Sequence, residues 1–573
     1  MQNADIARLL DEVADLLEIS EANPFKVRAY HNAARTVRDH PEPLADLVRA
    51  GGFDLTDLPS IGEGIAEEIE ALVATGELPQ RRALVRKLPP GLLDLLRIAG
   101  LGPKRVKLLH DKLKVKTVAD LAKAVEQGKV AELRGFGPTM VEKIRAGLGQ
   151  ARRTESRLLL HEAEQHAHAL VEYMRTGGGI DQIEVAGSFR RRRETIGDLD
   201  VLVTGPAPDQ LIGRFTRYPD VKRVASQGPT RATVRLASGL QVDLRAVEPD
   251  AYGSALMYFT GSKAHNVELR TIAQAKKLKL NEYGLYQGTR RIAGRTEQEI
   301  YAKLGLDWIP PELREARGEI ELARTHRLPA LVTLEQIRGD LQMHSDASDG
   351  KTPIGPLIDA ARALGYAYIA ITDHSKRVSM SGLDAAQLRA QWKAIDKVNA
   401  DGDGVRVLKS VELDVLENGR LDLPDDVLAE ADYVVATIHY GLKQSERQIT
   451  ERLLGAIANP WVDAIGHPTG RVVNARGPYP LDFDAVARAA AGAGCLLEIN
   501  GSERMDLPDT LAAAAKAQGV RFVLSTDAHH PGQLGNMRFA VAVARRAGLE
   551  ADDVANTRSL PDFLQGLRRA KRR

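Results

Sequence analysis

The sequence predicts a multidomain protein with an all-α N-terminal region, an α/β centre and a C-terminal distorted β/α barrel. Three observations lead to this prediction. A short glycine-containing helical element recurs three times within the first 150 residues. Two aspartates alternate along a strand-like segment near residue 200. Beyond residue 337, apolar strand-like runs alternate with alanine-rich helical stretches, which is the pattern of a parallel barrel.

The composition is that of an ordinary globular protein, with 43% hydrophobic and 27% charged residues. We find no apolar run of about 18 residues or more, so the sequence predicts no membrane-spanning helix. The N-terminal stretch carries acids early and does not resemble a signal peptide. The single cysteine, Cys495, excludes an internal disulfide, and its apolar neighbours predict a core position. The net charge of +2 neither supports nor excludes a nucleic-acid partner.

Residues 1–85 are predicted to be helical, with apolar side chains at helical spacing. The repeated element is a helix-hairpin-helix, with copies at 58–73, 99–113 and 133–144. Glycines in such a hairpin let the backbone approach a phosphate, and the next helix presents free N–H groups to it. The alternative is a simple turn between packed helices, but three copies favour sequence-independent binding of the DNA backbone. The predicted DNA-contacting residues are Gly62, Gly64, Gly100, Gly102, Lys104, Gly135 and Gly137.

The segment 187–200, GSFRRRRETIGDLD, contains the most specific pattern in the sequence. Strand-like residues around it place Asp198 and Asp200 on one face of a strand. Paired carboxylates suit a divalent cation such as Mg²⁺, while the Gly-Ser turn and the arginines suit a triphosphate. A predicted hairpin at 233–244 delivers a third carboxylate, Asp243. The alternative is a polar turn before an edge strand, but the full spacing favours a nucleotidyltransferase.

The segment 251–285 adds the motif YFTGSKAHNVELR, followed by NEYG. With GSFRRRRETIGDLD and QVDLR, in this order and at this spacing, it resembles the X family of DNA polymerases, the family of DNA polymerase beta. With the helix-hairpin-helix repeats, the resemblance covers residues 1–318. It implies two Mg²⁺ or Mn²⁺ ions held by the catalytic residues Asp198, Asp200 and Asp243. It also implies contacts with the triphosphate, the sugar and the nascent base pair from Gly187, Ser188, Arg191, Tyr258, Phe259, Gly261, Asn266 and Arg270.

Two positions depart from the family pattern. Members with 5′-deoxyribose phosphate lyase activity use a Schiff-base lysine in the helix after the first hairpin, where this sequence has Gly64 and Glu68. A carboxylate cannot form an imine, so we do not expect the usual lyase activity, although Lys26 is present in the same region. Gln241 stands where the animal enzymes carry an arginine beside the third aspartate, so we expect that arginine's orienting contact to be absent.

In the barrel region, polar side chains follow successive strand-like runs, as the functional residues of parallel barrels do. Six of the 14 histidines lie here, each after an apolar run. Imidazoles combined with carboxylates suit Zn²⁺ or Mn²⁺ better than Mg²⁺ alone. Segment 337–573 resembles the PHP domain, named for polymerase and histidinol phosphatase. The resemblance implies up to three Mn²⁺ or Zn²⁺ (or Mg²⁺) ions, with Glu412 bridging two of them, and the ligands His344, Asp349, His374, Glu412, His439, His467, Asp527 and His529.

Gln342 departs from the PHP pattern, because the opening Asp-x-His-x-His reads Asp-x-Gln-x-His here. One ion therefore loses an imidazole, and we expect its site to bind loosely or to select Mn²⁺. Because the other ligands are kept, we expect an active phosphoesterase; the alternative is a decayed, purely structural barrel. His530 matches no ligand position and is expected to be solvent-exposed.

The two resemblances together imply a DNA polymerase that fills short gaps in DNA repair, base excision repair included, and a 3′–5′ exonuclease or end-processing activity. One alternative is a 3′-end nuclease or phosphatase with secondary polymerase activity, and another is a non-catalytic DNA-binding scaffold. The expected partners are gapped or primer–template DNA and dNTPs, for a cytoplasmic, nucleoid-associated monomer. The predicted divisions are an N-terminal helical DNA-binding domain 1–85, a thumb-like helix-hairpin-helix domain 86–154, a palm 155–250, fingers 251–318, a linker 319–336 and the PHP domain 337–573.

Overall fold

The computed structural model describes residues 3–572, except for 41–43, 90, 97, 99–100, 134, 139, 146–147, 149–156, 379–381 and 403. The N-terminal part is all-α, as the sequence predicts. Its helices are Asn3–Ile19, Pro24–Asp39, Leu44–Ala50, Glu63–Thr75, Pro79–Val85, Leu92–Leu96, Pro103–Leu113 and Val118–Glu126.

This helical part has two hydrophobic cores. The first joins Ile6 of the opening helix to Ile69, which follows the first hairpin. The second joins Leu95 and Leu109 and extends to Ile144 after the third hairpin. The first hairpin and the two later hairpins are therefore supported by different cores.

The palm is built on a five-stranded mixed sheet. Its spatial order is Gln182–Val185, Asp198–Thr204, Gln241–Ala246, Arg231–Leu236 and Val221–Gln227. The pair formed by the second and third of these strands is parallel, and the other pairs are antiparallel. The helices of this region are Leu160–Thr176, Gly187–Arg190 and Pro208–Thr216.

The long palm helix begins at Leu160, five residues into the predicted palm domain 155–250. Residues 155 and 156 lie outside the described part of the chain. Leu158–Leu159 form a short antiparallel strand with Thr195–Ile196, and this pairing delays the first helical turn.

The fingers follow as a helical pair, a small antiparallel sheet and a third helix. Their elements are the helices Tyr252–Thr260, Lys263–Ala275 and Glu297–Leu304 and the strands Lys279–Asn281, Gly284–Gln287 and Arg290–Ala293. The segment predicted as a linker contains a short helix, Glu319–Arg324. Its Glu319 is buried and lies 2.8 Å from Nδ1 of His265 in the fingers. The segment therefore packs against the fingers, a contact that its irregular apolar pattern did not reveal.

The C-terminal part is a seven-stranded parallel sheet whose strands follow one another in chain order. A parallel bridge between Met343 and Ala528 brings its two edges together and nearly closes a barrel, so the predicted fold class is confirmed. The strands are Gly339–Asp340, Tyr368–Ile371, Arg406–Asp414, Tyr433–Thr437, Ala464–Ile465, Leu496–Asn500 and Phe522–Ser525. The helices are Ile354–Ala363, Ala385–Ala400, Asp425–Glu430, Glu446–Ala458, Phe483–Ala493, Asp509–Ala517, Met537–Arg546 and Leu560–Gly566.

The palm and the barrel share one hydrophobic core, which includes Leu170 of the palm and Phe539 of the barrel. Ion pairs cross the same boundary, among them Arg538–Glu164 at 2.8 Å. Cys495 is buried, as predicted, and immediately precedes the barrel strand Leu496–Asn500. Among the described residues, no helix has the length and apolar character needed to cross a membrane.

Candidate active sites

The three carboxylates predicted to be catalytic lie on the two parallel strands of the palm sheet. Asp198 is exposed and Asp200 is half-buried, whereas Leu199 between them is fully buried, as the predicted alternation requires. The register places Asp243 directly beside Asp200 on the neighbouring strand. The strand alternation and the hairpin therefore bring the three acids together at one edge of the palm.

The electrostatics of this edge favour cation binding. Burial raises the pKa of Asp200 to about 6, and the negative charges of Asp198 and Asp243 contribute to that increase. Asp243 accepts a hydrogen bond from Nε2 of Gln241 over 2.8 Å and another from the hydroxyl of Thr233. The arginine contact of the animal enzymes is absent, as expected from the sequence, and the amide of Gln241 donates a hydrogen bond to the third aspartate from this position.

Glycine is required at position 187 by both conformation and space. Gly187 has a φ of +65°, in the left-handed region that favours glycine. A Cβ atom there would lie only 2.9 Å from Oδ2 of Asp200. Ser188 follows in the same short helix, Gly187–Arg190, whose first residue makes this close approach to Asp200.

A cavity of about 850 Å³ lies in front of these acids. All eight residues predicted to contact substrate line it together with Asp198 and Asp200. Three further cations line the cavity, and two of them, Arg157 and Lys263, were not predicted to do so: Arg157 belongs to no recognised motif, and Lys263 lies within YFTGSKAHNVELR but was assigned no role. The third is Arg193, at the end of the arginine run.

The four consecutive arginines have different environments. Arg191 and Arg193 line the cavity, whereas Arg190 and Arg192 make ion pairs with buried glutamates. These pairs are Arg190–Glu297 at 2.8 Å and Arg192–Glu164 at 2.8 Å. The cationic run therefore contributes two side chains to the cavity and uses two to hold the turn in place.

The helix after the Thr-Gly-Ser turn presents the predicted base-pair residues on one face. Arg270 Nε donates to the carbonyl of Asn266 over 3.3 Å, consistent with their i, i+4 spacing. Nδ2 of Asn266 in turn donates to the carbonyl of Tyr258 over 2.7 Å. This contact ties the helix to the preceding one, which carries the predicted sugar-contacting aromatic residues.

In the barrel, Glu412 lies at the centre of a histidine cluster. It is inside the third barrel strand rather than after it, because that strand continues to Asp414. Its carboxylate lies 3.0 Å from His374 and 3.4 Å from His439. His344 and His467 also lie 3.4 Å from it.

The remaining predicted ligands extend the same cluster on two sides. Asp349 lies 3.4 Å from His374 and 3.3 Å from His529. Asp527 lies 3.2 Å from His344. The structure therefore brings all eight predicted ligands together. His530, expected to be solvent-exposed, is instead partly buried, since its Nδ1 accepts a hydrogen bond from the Gly532 N–H over 2.9 Å and caps a short helix.

The donor set fits divalent metal ions. Both oxygens of Glu412, both ring nitrogens of His344 and Nδ1 of His374 are buried without a hydrogen-bond partner. Burial alone would lower the pKa of His374, but the Glu412 and Asp349 carboxylates raise it to about 11. Buried oxygen and nitrogen atoms without a hydrogen-bond partner in the protein are typical of side chains that bind metal ions. Three overlapping groups could each hold an ion: His344, Asp349, His374 and His529; His374, Glu412 and His439; and His344, Glu412 and Asp527.

Gln342 lies inside this cluster rather than at its surface. It is 1% exposed, and its Nε2 lies 3.3 Å from Nε2 of His467. Its Oε1 is buried without a partner, so the amide can offer one weak oxygen ligand where the PHP pattern has an imidazole. Two acids that the sequence did not single out contact ligand histidines from outside: Asp414 lies 3.4 Å from His439, and Glu498 lies 3.3 Å from His467. Such contacts orient metal-binding imidazoles.

The hairpin glycines lie at the protein surface. Gly62 and Gly102 immediately precede the helices that begin at Glu63 and Pro103, and neither helix has a side-chain cap. Gly64, Gly135, Gly137 and Lys104 are exposed as well. Gly100, also predicted to contact DNA, lies outside the described residues. The first two hairpins therefore present uncapped helix N-termini that can receive a phosphate.

The fold and the two sites define a nucleotidyltransferase joined to helix-hairpin-helix DNA-binding units and to a metal-binding barrel of the phosphoesterase kind. Family comparisons agree over most of the chain. Residues 1–78 match the helix-hairpin-helix domain, and 92–150 match the SAM-like helix-hairpin-helix tandem. Residues 255–315, which we name the fingers, match the DNA polymerase beta thumb. Residues 340–502 match the PHP domain.

Individual relatives match either the whole chain or the barrel alone. The chain is 37% identical over 575 residues to the DNA polymerase/3′-5′ exonuclease PolX of Bacillus subtilis, covering 99% of this chain and 100% of that protein. The barrel is 32% identical over 205 residues to a "Probable phosphatase" of Thermoanaerobacter sp., covering 34% of this chain and 79% of the relative. The chain belongs to the bacterial X-family DNA polymerases that carry a C-terminal PHP domain.

Proposed function

We propose that this X-family polymerase fills short gaps in DNA during repair, and that its barrel removes nucleotides from 3′ ends. The protein is a DNA polymerase with a 3′–5′ exonuclease activity, as its likeness to the Bacillus subtilis enzyme over 99% of the chain indicates. The observation that supports the site assignment best is one cavity in front of the palm sheet. It is lined by Asp198, Asp200 and every predicted substrate-contacting residue.

In the palm, Asp198, Asp200 and Asp243 would hold two divalent ions, Mg²⁺ or Mn²⁺. Ions bound there would lower the pKa of the primer 3′-hydroxyl and neutralise charge on the triphosphate. The chain itself supplies the positioning. Ser188 and Arg191 bind the triphosphate oxygens at the Gly187 turn, so that the α-phosphorus faces the primer end for in-line attack.

The fingers supply the rest of the substrate pocket. Tyr258, Phe259 and Gly261 form the wall beside the sugar, and Asn266 and Arg270 lie along the nascent base pair. The contact between Asn266 and the Tyr258 carbonyl at 2.7 Å keeps these two groups in a fixed relation. The helix that contacts the base pair and the helix that contacts the sugar are therefore linked by a hydrogen bond.

In the barrel, Glu412 and the seven other predicted ligands would hold up to three ions, Mn²⁺ or Zn²⁺ among them. Ions bound there would act as Lewis acids on a phosphodiester and activate water for its hydrolysis. Asp414 and Glu498 hold the imidazoles of His439 and His467 in orientation. The hairpins bind the DNA backbone without regard to sequence, and we propose that a monomer acts in this way at the nucleoid.

A labelled primer annealed beside a one-nucleotide gap tests the proposal. Incubation with dNTPs and Mg²⁺ or Mn²⁺ should lengthen the primer by one residue, and incubation without dNTPs should shorten it from the 3′ end. A protein that only degrades the primer under both conditions would instead be an end-processing nuclease. A protein that binds the gapped duplex without changing the primer would be a scaffold.

We expect little or no imine-dependent lyase activity. Gly64 is exposed, and Glu68 accepts a hydrogen bond from the Gln80 N–H over 3.0 Å, so the expected helix offers a carboxylate in place of an amine. Lys26 is exposed on the neighbouring helix. Borohydride trapping on a 5′-deoxyribose phosphate substrate measures the activity. Efficient trapping that persists in Lys26→Ala would show that another amine serves, and the interpretation of this helix would be wrong.

Gln342→His should tighten metal binding in the barrel and increase the share of Zn²⁺, because an imidazole is a stronger ligand than an amide oxygen. Gln342→Ala is the matched variant, since it removes the amide without replacing it. Metal content measured after dialysis, together with 3′ degradation of labelled DNA, should increase in the order Ala, Gln, His. An identical metal content in all three proteins would remove position 342 from the site.

A further inference from the structure

Arg546 connects the barrel to the polymerase cavity. It is the last residue of the barrel helix Met537–Arg546 and is 6% exposed. Its Nη1 donates to the backbone carbonyl of Arg191 over 2.7 Å and to Oε1 of Glu315 over 3.0 Å. Its Nη2 donates to Asp509 of the barrel over 2.8 Å. A guanidinium fork with partners on both terminal nitrogens is held in one orientation.

Glu315 joins Arg546 to the side chain of Arg191. The same Oε1 atom accepts a hydrogen bond from Nε of Arg191 over 3.1 Å. Nη1 of Arg191 donates to the carbonyl of Thr260. Within the described part of the chain, Nη2 of Arg191 makes no hydrogen bond, and the side chain lines the cavity. Two nitrogens are therefore fixed, and the third is left for an oxygen of the substrate.

The charges make this arrangement depend on Arg546. The Glu315 side chain is 11% exposed and forms hydrogen-bonded ion pairs with Arg191 and with the buried Arg546, while Arg193 lies 3.6 Å from it. Burial would raise the pKa of Glu315, but the charges of Arg191 and Arg546 lower it, so the carboxylate stays ionised between them. Without Arg546, a largely buried carboxylate would lose one of the two cations that are hydrogen-bonded to it, and the Arg191 carbonyl would lose its donor.

We infer that Arg546 is a positioning residue for nucleotide addition: it holds the Arg191 backbone directly and the Arg191 guanidinium through Glu315. The barrel thereby supports the triphosphate end of the polymerase cavity across the boundary between the modules. This inference rests on the proposed role of Arg191 in triphosphate binding.

Steady-state incorporation of a dNTP into one-nucleotide gapped DNA tests the inference on the full-length protein. Arg546→Ala should raise the KM for the dNTP by about tenfold and lower kcat by less than about threefold, because a binding group is misplaced while the carboxylates are untouched. The KM of Arg546→Lys should lie between those of the wild type and Arg546→Ala, because a single ammonium group can keep the contact with Glu315 but not the other contacts. The 3′ degradation rate should be unchanged in both.

Arg545→Ala is the matched control. Arg545 is the neighbouring residue on the same helix, and it pairs across the same boundary with Glu312 at 2.8 Å. It makes no contact with Arg191 in the described structure, so its loss should leave the KM for the dNTP near the wild-type value. Equal increases in the KM for the dNTP in Arg545→Ala and Arg546→Ala would show that any loss of contacts at this boundary weakens dNTP binding, and would overturn the inference.

Two further variants complete the design. The double variant Arg546→Ala/Glu315→Gln should show no greater increase in KM than the worse single variant, because both substitutions break one chain of contacts; additive increases would contradict the relay. Arg191→Ala should raise the KM for the dNTP more than Arg546→Ala or Glu315→Gln does. If Arg191→Ala leaves KM unchanged, the proposed triphosphate site is wrong. If Arg191→Ala raises KM and Arg546→Ala does not, only the relay is wrong.

Discussion

Asp200→Ala abolishes nucleotide incorporation and leaves DNA binding nearly intact: this is the largest effect that we expect in the palm. Asp200 lies beside Asp243 in the sheet register, and its raised pKa reflects burial and the three carboxylates crowded at one edge. Removing it should destroy the cation site, costing at least about 4 kcal/mol in the barrier, which is roughly a thousandfold in rate. DNA affinity should persist because the hairpin glycines belong to separate helical units.

Single-turnover extension of a gapped substrate measures the rate, and a mobility-shift titration measures DNA affinity. Asp209→Ala is a suitable control, because Asp209 is an exposed acid in the same palm and lies at the start of a helix away from the sheet edge. Incorporation by Asp200→Ala at a near wild-type rate would remove this residue from the catalytic site. A parallel loss of DNA affinity would mean that the palm carries part of the DNA-binding surface.

Glu412→Ala should eliminate 3′ degradation while polymerisation survives. Glu412 lies within 3.4 Å of four histidines, so its removal leaves the central ions underligated and their positive charges poorly screened. We expect a decrease of at least about a thousandfold in nuclease rate, since metal placement supplies several kcal/mol of the catalysis. The palm carboxylates are untouched, so the incorporation rate should stay near that of the wild type.

The measurement is degradation of 3′-labelled DNA in Mn²⁺ by wild type, Glu412→Ala and Asp200→Ala, with the metal content of each protein determined. Glu412→Gln keeps the volume of the side chain and tests whether charge rather than shape is lost. Glu430→Ala removes an exposed barrel glutamate that pairs with Arg389, and it should change nothing. Unchanged degradation in Glu412→Ala, or its loss in Asp200→Ala alone, would place the nuclease outside the barrel cluster.

The arrangement of the palm residues was largely predictable because short sequence patterns determine it. Alternation along one strand places Asp198 and Asp200 on the same face, and a short hairpin carries Asp243 to the next strand. Helical spacing of four residues likewise places Asn266 beside Arg270. In each case a few neighbouring residues and a known repeat length determine the geometry.

The barrel ligands were predictable for a different reason. Each follows an apolar strand or, like Glu412, lies near the carboxyl end of one, and parallel strands bring these ends to one edge. His374 and His439 therefore meet although 65 positions separate them in the sequence. The orienting acids Asp414 and Glu498 were not predicted, because their contacts depend on which side chains face the imidazoles after packing.

Contacts between segments far apart in the sequence could not be predicted from it. Arg157 lines the polymerase cavity although it belongs to no motif, and Lys263 lies within a quoted motif that does not itself show which side chains face the cavity. The pairing of Arg546 with Glu315 joins residues 231 positions apart and depends on how the barrel packs against the fingers. Long-range ion pairs of this kind carry no periodicity, and many surface arginines with nearby acids would look the same in sequence.

Because its single cysteine is buried, the protein is suited to site-specific labelling with fluorescent dyes. Burial raises the pKa of the Cys495 thiol to about 12, so at neutral pH it is both protonated and shielded from a maleimide reagent. Cysteines introduced at exposed positions, such as Glu70 beyond the first hairpin and Arg447 on the barrel, would therefore be the only ones to take up dye. Energy transfer between two such dyes could follow the N-terminal helices relative to the barrel in real time, with every native residue but those two left in place.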